Sequence, residues 1–132
     1  MGAPEPALPE PTARQRRDAL VAFLDATVAL LPGPFRVEDD ATPVTCELAG
    51  GGQGDAYLLS RFSGTVAPDL VAARERVLAA WRQQGLAVVL RGSPPTPQHL
   101  VEVPGAGRAV LQVGPRGSAL TAETRCAPRR PG

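Results

Sequence analysis

The stretch 67–92 constrains the fold more than any other, because a helix start, an apolar helical face, a helix stop and a strand follow one another without a gap. Pro68 suits the first helical position, where a missing N–H costs nothing, and Asp69 sets negative charge at the positive end of the helix dipole. Leu70, Ala73, Val77, Leu78 and Trp81 recur at three- and four-residue spacing among Arg74, Glu75, Arg76, Arg82 and Gln83, so one face is apolar. Gly85 supplies the left-handed residue that ends a helix, and Leu86 can fold back on Trp81 as in a Schellman cap. The spacing predicts a helix ending at Gln84. Leu86 to Leu90, closing on Arg91 and Gly92, then reads as a buried central strand.

The rest of the chain arranges itself around this unit. Thr12 and Gln15 have the spacing of a capping box, and Leu20, Phe23, Leu24, Thr27, Val28 and Leu31 form an apolar stripe ending at Pro32-Gly33-Pro34, which predicts a first helix. Arg14, Arg16 and Arg17 oppose its dipole, so its start is expected to fray. Val44, Cys46 and Leu48 alternate with polar residues; after the glycine-rich tip Gly50 to Asp55, a second strand runs from Ala56 to Phe62, making a hairpin. Segments 99–103, 108–113 and 118–126, separated by Gly/Pro turns, read as a meander. The expected fold is α+β in the order α-β-β-α-β-β-β, a two-layer sandwich with both helices packed on one face of a mainly antiparallel sheet. Residues 1–11, with Pro4, Pro6, Pro9 and Pro11, read as an extended tethering arm, 12–127 as one domain, and 128–132 as a polar tail.

At 132 residues, the chain is the size of one domain able to bury its own core, and its 14 Gly and 15 Pro belong in loops and ends. All 14 basic residues are Arg, and Lys, Asn and Ile are absent, a sign of a GC-rich gene. A net charge of +1 supplies no global field for nucleic acid or an anionic membrane. No apolar run approaches the ~20 residues that span a bilayer. The opening residues Met-Gly-Ala-Pro-Glu-Pro lack the basic and apolar segments of a signal peptide. A cytosolic protein and an exported one whose leader has been removed both fit.

No catalytic set emerges. Cys46 and Cys126 both fall on expected core-facing strand positions and can either pair or remain two free buried thiols. They are too far apart for a Cys-x-x-Cys motif, and with His99 as the sole histidine a structural zinc site lacks ligands; no cofactor and no metal are expected. His99 reads as a surface or rim residue, with Glu102 on the opposite face of its strand. Glu38, Asp39 and Asp40 lack the spacing of a calcium loop and read as a solvated turn. The glycine-rich tip has no Lys-Ser or Lys-Thr and joins two strands, which suits a plain hairpin loop rather than a phosphate site. Arg74, Arg82, Arg91 and Arg108 are the residues that could line one partner surface, too sparse in basic and aromatic side chains for nucleic acid.

The Pro-rich leader, the first helix, the cysteine before a Gly-rich turn, the Trp-Arg-Gln-Gln-Gly helix end and the closing Arg-Cys-Ala-Pro together resemble small secreted lipoproteins of high-GC Gram-positive bacteria. The resemblance implies an α+β domain behind a low-complexity tether, an envelope location, a Cys46–Cys126 disulfide and a possible lipid anchor upstream. The first expectation is therefore a non-enzymatic, extracytoplasmic binding or accessory domain whose partner is a protein, the cell wall or a small molecule. A cytosolic adaptor or immunity-type protein is the alternative. A small hydrolase or thiol enzyme around His99, with Cys46 or a serine, is the third; a buried His99 or a disulfide at Cys46 would exclude the thiol version.

Overall fold

The computed structural model describes residues 10–129; most of the expected arm and the last three residues of the expected tail lie outside them. Among the described residues, two helices and nine strands follow in the order α1 (Ala13–Val28), β1 (Arg36–Val37), β2 (Val44–Glu47), β3 (Gln53–Ala56), β4 (Leu58–Ser63), α2 (Leu70–Gln83), β5 (Val88–Arg91), β6 (Gln98–Val103), β7 (Gly107–Gly114), β8 (Gly117–Thr124) and β9 (Ala127–Pro128). Strands β1, β4, β8, β7, β6 and β5, in that spatial order, form one antiparallel sheet, and β2, β3 and β9 form a smaller one. The α+β class, the mainly antiparallel pairing and the C-terminal meander are as the periodicity predicts. The expected element order is too short: β1 and β9 have two residues each, and the strand expected over 56–62 divides into β3 and β4 at Tyr57.

Both helix caps use local chemistry. The Thr12 hydroxyl accepts from the Gln15 N–H at 3.0 Å, while the Gln15 side chain accepts from the Thr12 N–H at 2.9 Å, a complete capping box. Two of the three arginines expected to fray this start are engaged: Arg16 is buried, its Nε donating to the Pro11 carbonyl, and Arg17 lies 5.5 Å over the Tyr57 ring, while Arg14 is exposed. Asp69 is the N-cap of α2, accepting from the Ala72 N–H at 3.0 Å, so the helix starts at Leu70, two residues later than expected. At its far end Gly85, at φ +80°, donates to the Arg82 carbonyl, and Leu86 donates to that of Trp81, the predicted Schellman cap.

The apolar faces of both helices and alternate strand residues meet in one core. Leu20 and Leu24 of α1, Val77 and Trp81 of α2, and Leu59, Val101, Leu111 and Leu120 of the large sheet all belong to it. Trp81 is fully buried, stacks on Phe23 with 5.6 Å between ring centres, and donates from Nε1 to the Thr27 hydroxyl at 3.0 Å. That hydroxyl in turn donates to the Phe23 carbonyl, so the one polar residue in the α1 stripe satisfies the one polar atom of the tryptophan.

The strand after α2 is not central. It is β5, the border of the large sheet, with Val89 56% and Leu90 62% exposed. A short apolar run has the same pattern whether buried or bordering, and here β6 occupies only one side of it.

The two sheets share their long strands. β3–β4 bends at Tyr57 and β8–β9 bends after Thr124; the Tyr57 N–H donates to the Thr124 hydroxyl at 2.8 Å and the Thr124 N–H to the Tyr57 carbonyl at 3.0 Å. Beyond the bend, Cys46 of β2 is bonded to Cys126, the residue before β9. Both cysteines are half-buried in the small sheet, not core-facing, because β8 ends at Thr124 and breaks the expected phase. Gly54 of β3 lies so close to the Ala127 carbonyl and the Cys126 sulfur that a Cβ would not fit. The expected tail starts later than 128: Ala127 is buried, Pro128 pairs with Gly54, and Arg129 bonds Asp55 at 2.9 Å and Thr45 at 2.6 Å.

Candidate functional site

The acidic run 38–40 is structural. Arg61 of β4, 2% exposed, bonds the Asp39 carboxylate through Nη1, and Asp25 of α1 through Nε and Nη2 at 3.3 Å each. Asp39 also accepts from the Ser60 N–H, Asp40 from the Leu58 N–H, and the backbone of Glu38 and Asp40 donates to the Ser60 and Leu58 carbonyls. The expected solvated turn is instead a continuation of β1 along β4, stitched by carboxylates and facing a buried guanidinium. Among the described residues, no three His, Cys, Asp or Glu side chains gather in a metal-holding group.

His99 is buried on β6, not at a rim, and Glu102 is exposed on the other side of that strand. Burial lowers the imidazole pKa, Arg74 and Arg82 add to this, and Glu75 opposes it; its Nδ1 has no partner among the described residues. With the Cys46 sulfur bonded and His99 inaccessible, the thiol-enzyme reading fails.

The four arginines expected on one surface are divided. Arg74 reaches from α2 to the carbonyls of Val113 and Pro95, and Arg82 pairs across the exposed side of α2 with Glu75 at 3.9 Å. Arg91 and Arg108 extend from strands β5 and β7, where Arg108 pairs with Glu102 at 3.6 Å.

A different set of residues does converge. The strand register aligns Arg36, Phe62, Ala119, Gln112, Gln98 and Arg91 in one row across the large sheet, on the side away from the core residues. At the Arg36 end of this row, a groove of about 1100 Å³ opens between Pro34, Phe35, Phe62, Pro95, Gln112 and Arg116. Three other hollows measure about 460 to 500 Å³. The Arg36 guanidinium lies 5.4 Å over the Phe62 ring while pairing with Glu38 at 2.8 Å, and Arg116 is exposed in the β7–β8 turn. Ser118, buried, also lines the groove, and its hydroxyl has no partner among the described residues. Sequence reasoning misses this site because its walls come from 34–36, 62–64, 95–96 and 112–119, which only the strand register brings together.

No protein-family model and no curated protein matches the chain. Among solved structures, a DUF4853 family protein from Actinomyces odontolyticus superposes with a TM-score of 0.57 over 98% of this chain and 75% of that one. The two folds are alike. At 12% identity the likeness concerns the fold alone and transfers no residue's role. Actinomyces is a high-GC Gram-positive genus, the group that the sequence resemblance indicates.

Proposed function

We propose that this chain is a non-enzymatic, extracytoplasmic binding domain, held at the cell envelope by its Pro-rich arm, with or without a lipid anchor upstream, that takes its ligand in the groove beside Phe62. The observation that carries this reading is the groove's composition: aromatic and proline walls, two arginines, and no Asp, Glu, His or Cys among its lining residues. Such a site offers apolar contact and guanidinium donors but no general acid, base or nucleophilic thiol. In this reading the helices form one layer and the large sheet the other, leaving the outer sheet face to the partner. The fitting ligand has an aromatic or apolar body and a carboxylate, phosphate or sulfonate that Arg36 and Arg116 can hold. The Cys46–Cys126 bond supports an oxidising compartment.

The dye 1-anilinonaphthalene-8-sulfonate has this chemistry and serves as the probe. It is expected to bind at one saturable site, with affinity falling about tenfold in Phe62→Ser and in Arg116→Glu, and unchanged in Arg108→Glu, which lies outside the groove. Equal affinity in all four proteins would refute the groove. Thiols trapped in intact cells test the compartment separately: export predicts no free thiol and recovery with the envelope, and two free thiols in the cytosolic fraction refute it.

A further inference from the structure

The two borders of the large sheet differ in chemistry. At one, β1 has two residues and is followed by Glu38, Asp39 and Asp40; the Glu38 and Asp40 N–H groups and the Asp39 and Asp40 carboxylates occupy the adjoining edge of β4. That edge is short and charged, two of the devices that stop strand addition. At the other, Leu86 to Leu90 carries no charge and no proline, Val89 and Leu90 are more than half exposed, and among the described residues β6 is the strand's one partner. A border whose one charge, Arg91, stands at its end and whose remaining N–H and C=O groups face away from β6 is a template for another strand.

The flanking helix adds a second, independent feature. Val71 of α2 is 63% exposed. Glu75 and Arg82, seven residues apart, share the flank of α2 opposite Arg76, which reaches the Leu30 carbonyl just after α1; α1 lies against β4 and β8 and α2 against β7 and β5, so the Glu75–Arg82 flank faces the β5 border. Glu75 and Arg82 are exposed, and their mutual pair is long at 3.9 Å, so both remain free to meet other charges.

We propose that β5 pairs antiparallel with β5 of a second copy, joining two six-stranded sheets into one continuous sheet. A two-fold axis at Val89 sets Arg91 opposite Ala87, and one at Leu90 sets it opposite Val89, so neither register opposes like charges. The same axis runs the two α2 helices antiparallel, presenting Glu75 of each to Arg82 of the other on the helical side of the seam. With the β1 border closed, addition stops at two copies instead of growing into a fibre. A foreign peptide strand would need pockets for its alternate side chains, and none of the four hollows described above includes a residue of 86–92. These observations favour a second copy.

Sedimentation equilibrium of the whole chain over a roughly hundredfold concentration range tests the pairing. The expected mass at the upper end is twice the 13.7 kDa of one chain. Leu90→Lys and Val89→Lys are expected to return single-chain mass with an unchanged circular dichroism spectrum, while Val37→Lys, at the opposite border, stays double. Should either β5 variant unfold, the helix surface supplies the readout: Glu75→Arg weakens association about tenfold, and Glu75→Arg with Arg82→Glu restores it. Single-chain mass for the wild type throughout, association unmoved by Leu90→Lys or by Glu75→Arg, or dissociation by Val37→Lys would overturn the proposal.

Discussion

Strand β7 buries five of its eight residues, whereas none of the four residues of β2 is fully buried, although both strands belong to antiparallel sheets of one small protein. The large sheet sets Leu59, Val101, Leu111 and Leu120 beneath two helices and stacks Trp81 against Phe23, so removal of apolar area from water holds it together. The small sheet buries Gly54, Ala56 and Ala127, side chains with little area to contribute, and carries a disulfide and an Arg129–Asp55 pair in their place. Short strands need either a thick apolar layer or a covalent tie, and this chain uses one solution on each side of the Tyr57–Thr124 bend.

The comparison is most severely tested at Trp81. Trp81→Ala is expected to lower unfolding free energy by about 3–5 kcal/mol, read from the denaturant midpoint by circular dichroism, because Phe23 of α1 then has no ring to stack on. Replacing Cys46 and Cys126 together by Ala should cost about 4 kcal/mol, given a separation of 80 residues. Its signature in hydrogen exchange is faster opening of β2, β3 and β9, with β7 still protected; equal acceleration in both sheets would break the distinction. Asp39→Ala leaves the buried Arg61 with the exposed Asp25 as its one carboxylate partner and is expected to cost about 3 kcal/mol by the same midpoint assay.

A smaller effect sharpens the contrast through pH. Burial, reinforced by Arg74 and Arg82 against Glu75, lowers the His99 pKa below its ordinary 6.5, so near and below that pH the unfolded chain binds the proton that the folded chain refuses. Stability is therefore full above pH 6.5 and declines as pH falls below it, and His99→Gln should flatten that part of the midpoint-versus-pH curve. Least of all, Arg129→Ala should cost less than about 1 kcal/mol, because the Arg129–Asp55 pair is partly exposed to solvent.

How much of this could be read beforehand follows from the range of each interaction. The capping box at Thr12 and Gln15 and the Schellman turn at Gly85 and Leu86 are legible because their partners lie within five residues. The position of β5 is not: Val88, Val89 and Leu90 carry the same alternation and branching at a border as in the middle of a sheet, and which strand neighbours them is decided elsewhere. Arg61 sits in phase with Leu59, but a charge in a strand reads as solvent-facing until Asp25 and Asp39, from two other elements, are seen to meet it. Cys126 is misplaced by one assumption, that 118–126 is one straight strand; the bend after Thr124 takes the sulfur into the small sheet. The groove beside Phe62 depends on strand register and on three proline-bearing connections, and no periodicity within one segment contains that information.

The Cys46–Cys126 bond has a topological consequence: it closes a covalent ring through β3, β4, α2 and β5 to β8, leaving α1 and β1 on the stem that leads to the arm. A protease that cuts any one peptide bond between these cysteines opens the ring into two chains joined by the disulfide, without releasing a fragment. The nicked protein would keep its mass apart from one added water, migrate as one band without reductant and as two with it, and leave both pieces joined to the N-terminal arm. If the domain is tethered outside the cell, as proposed, a cut in the exposed loop 93–96 leaves every part attached.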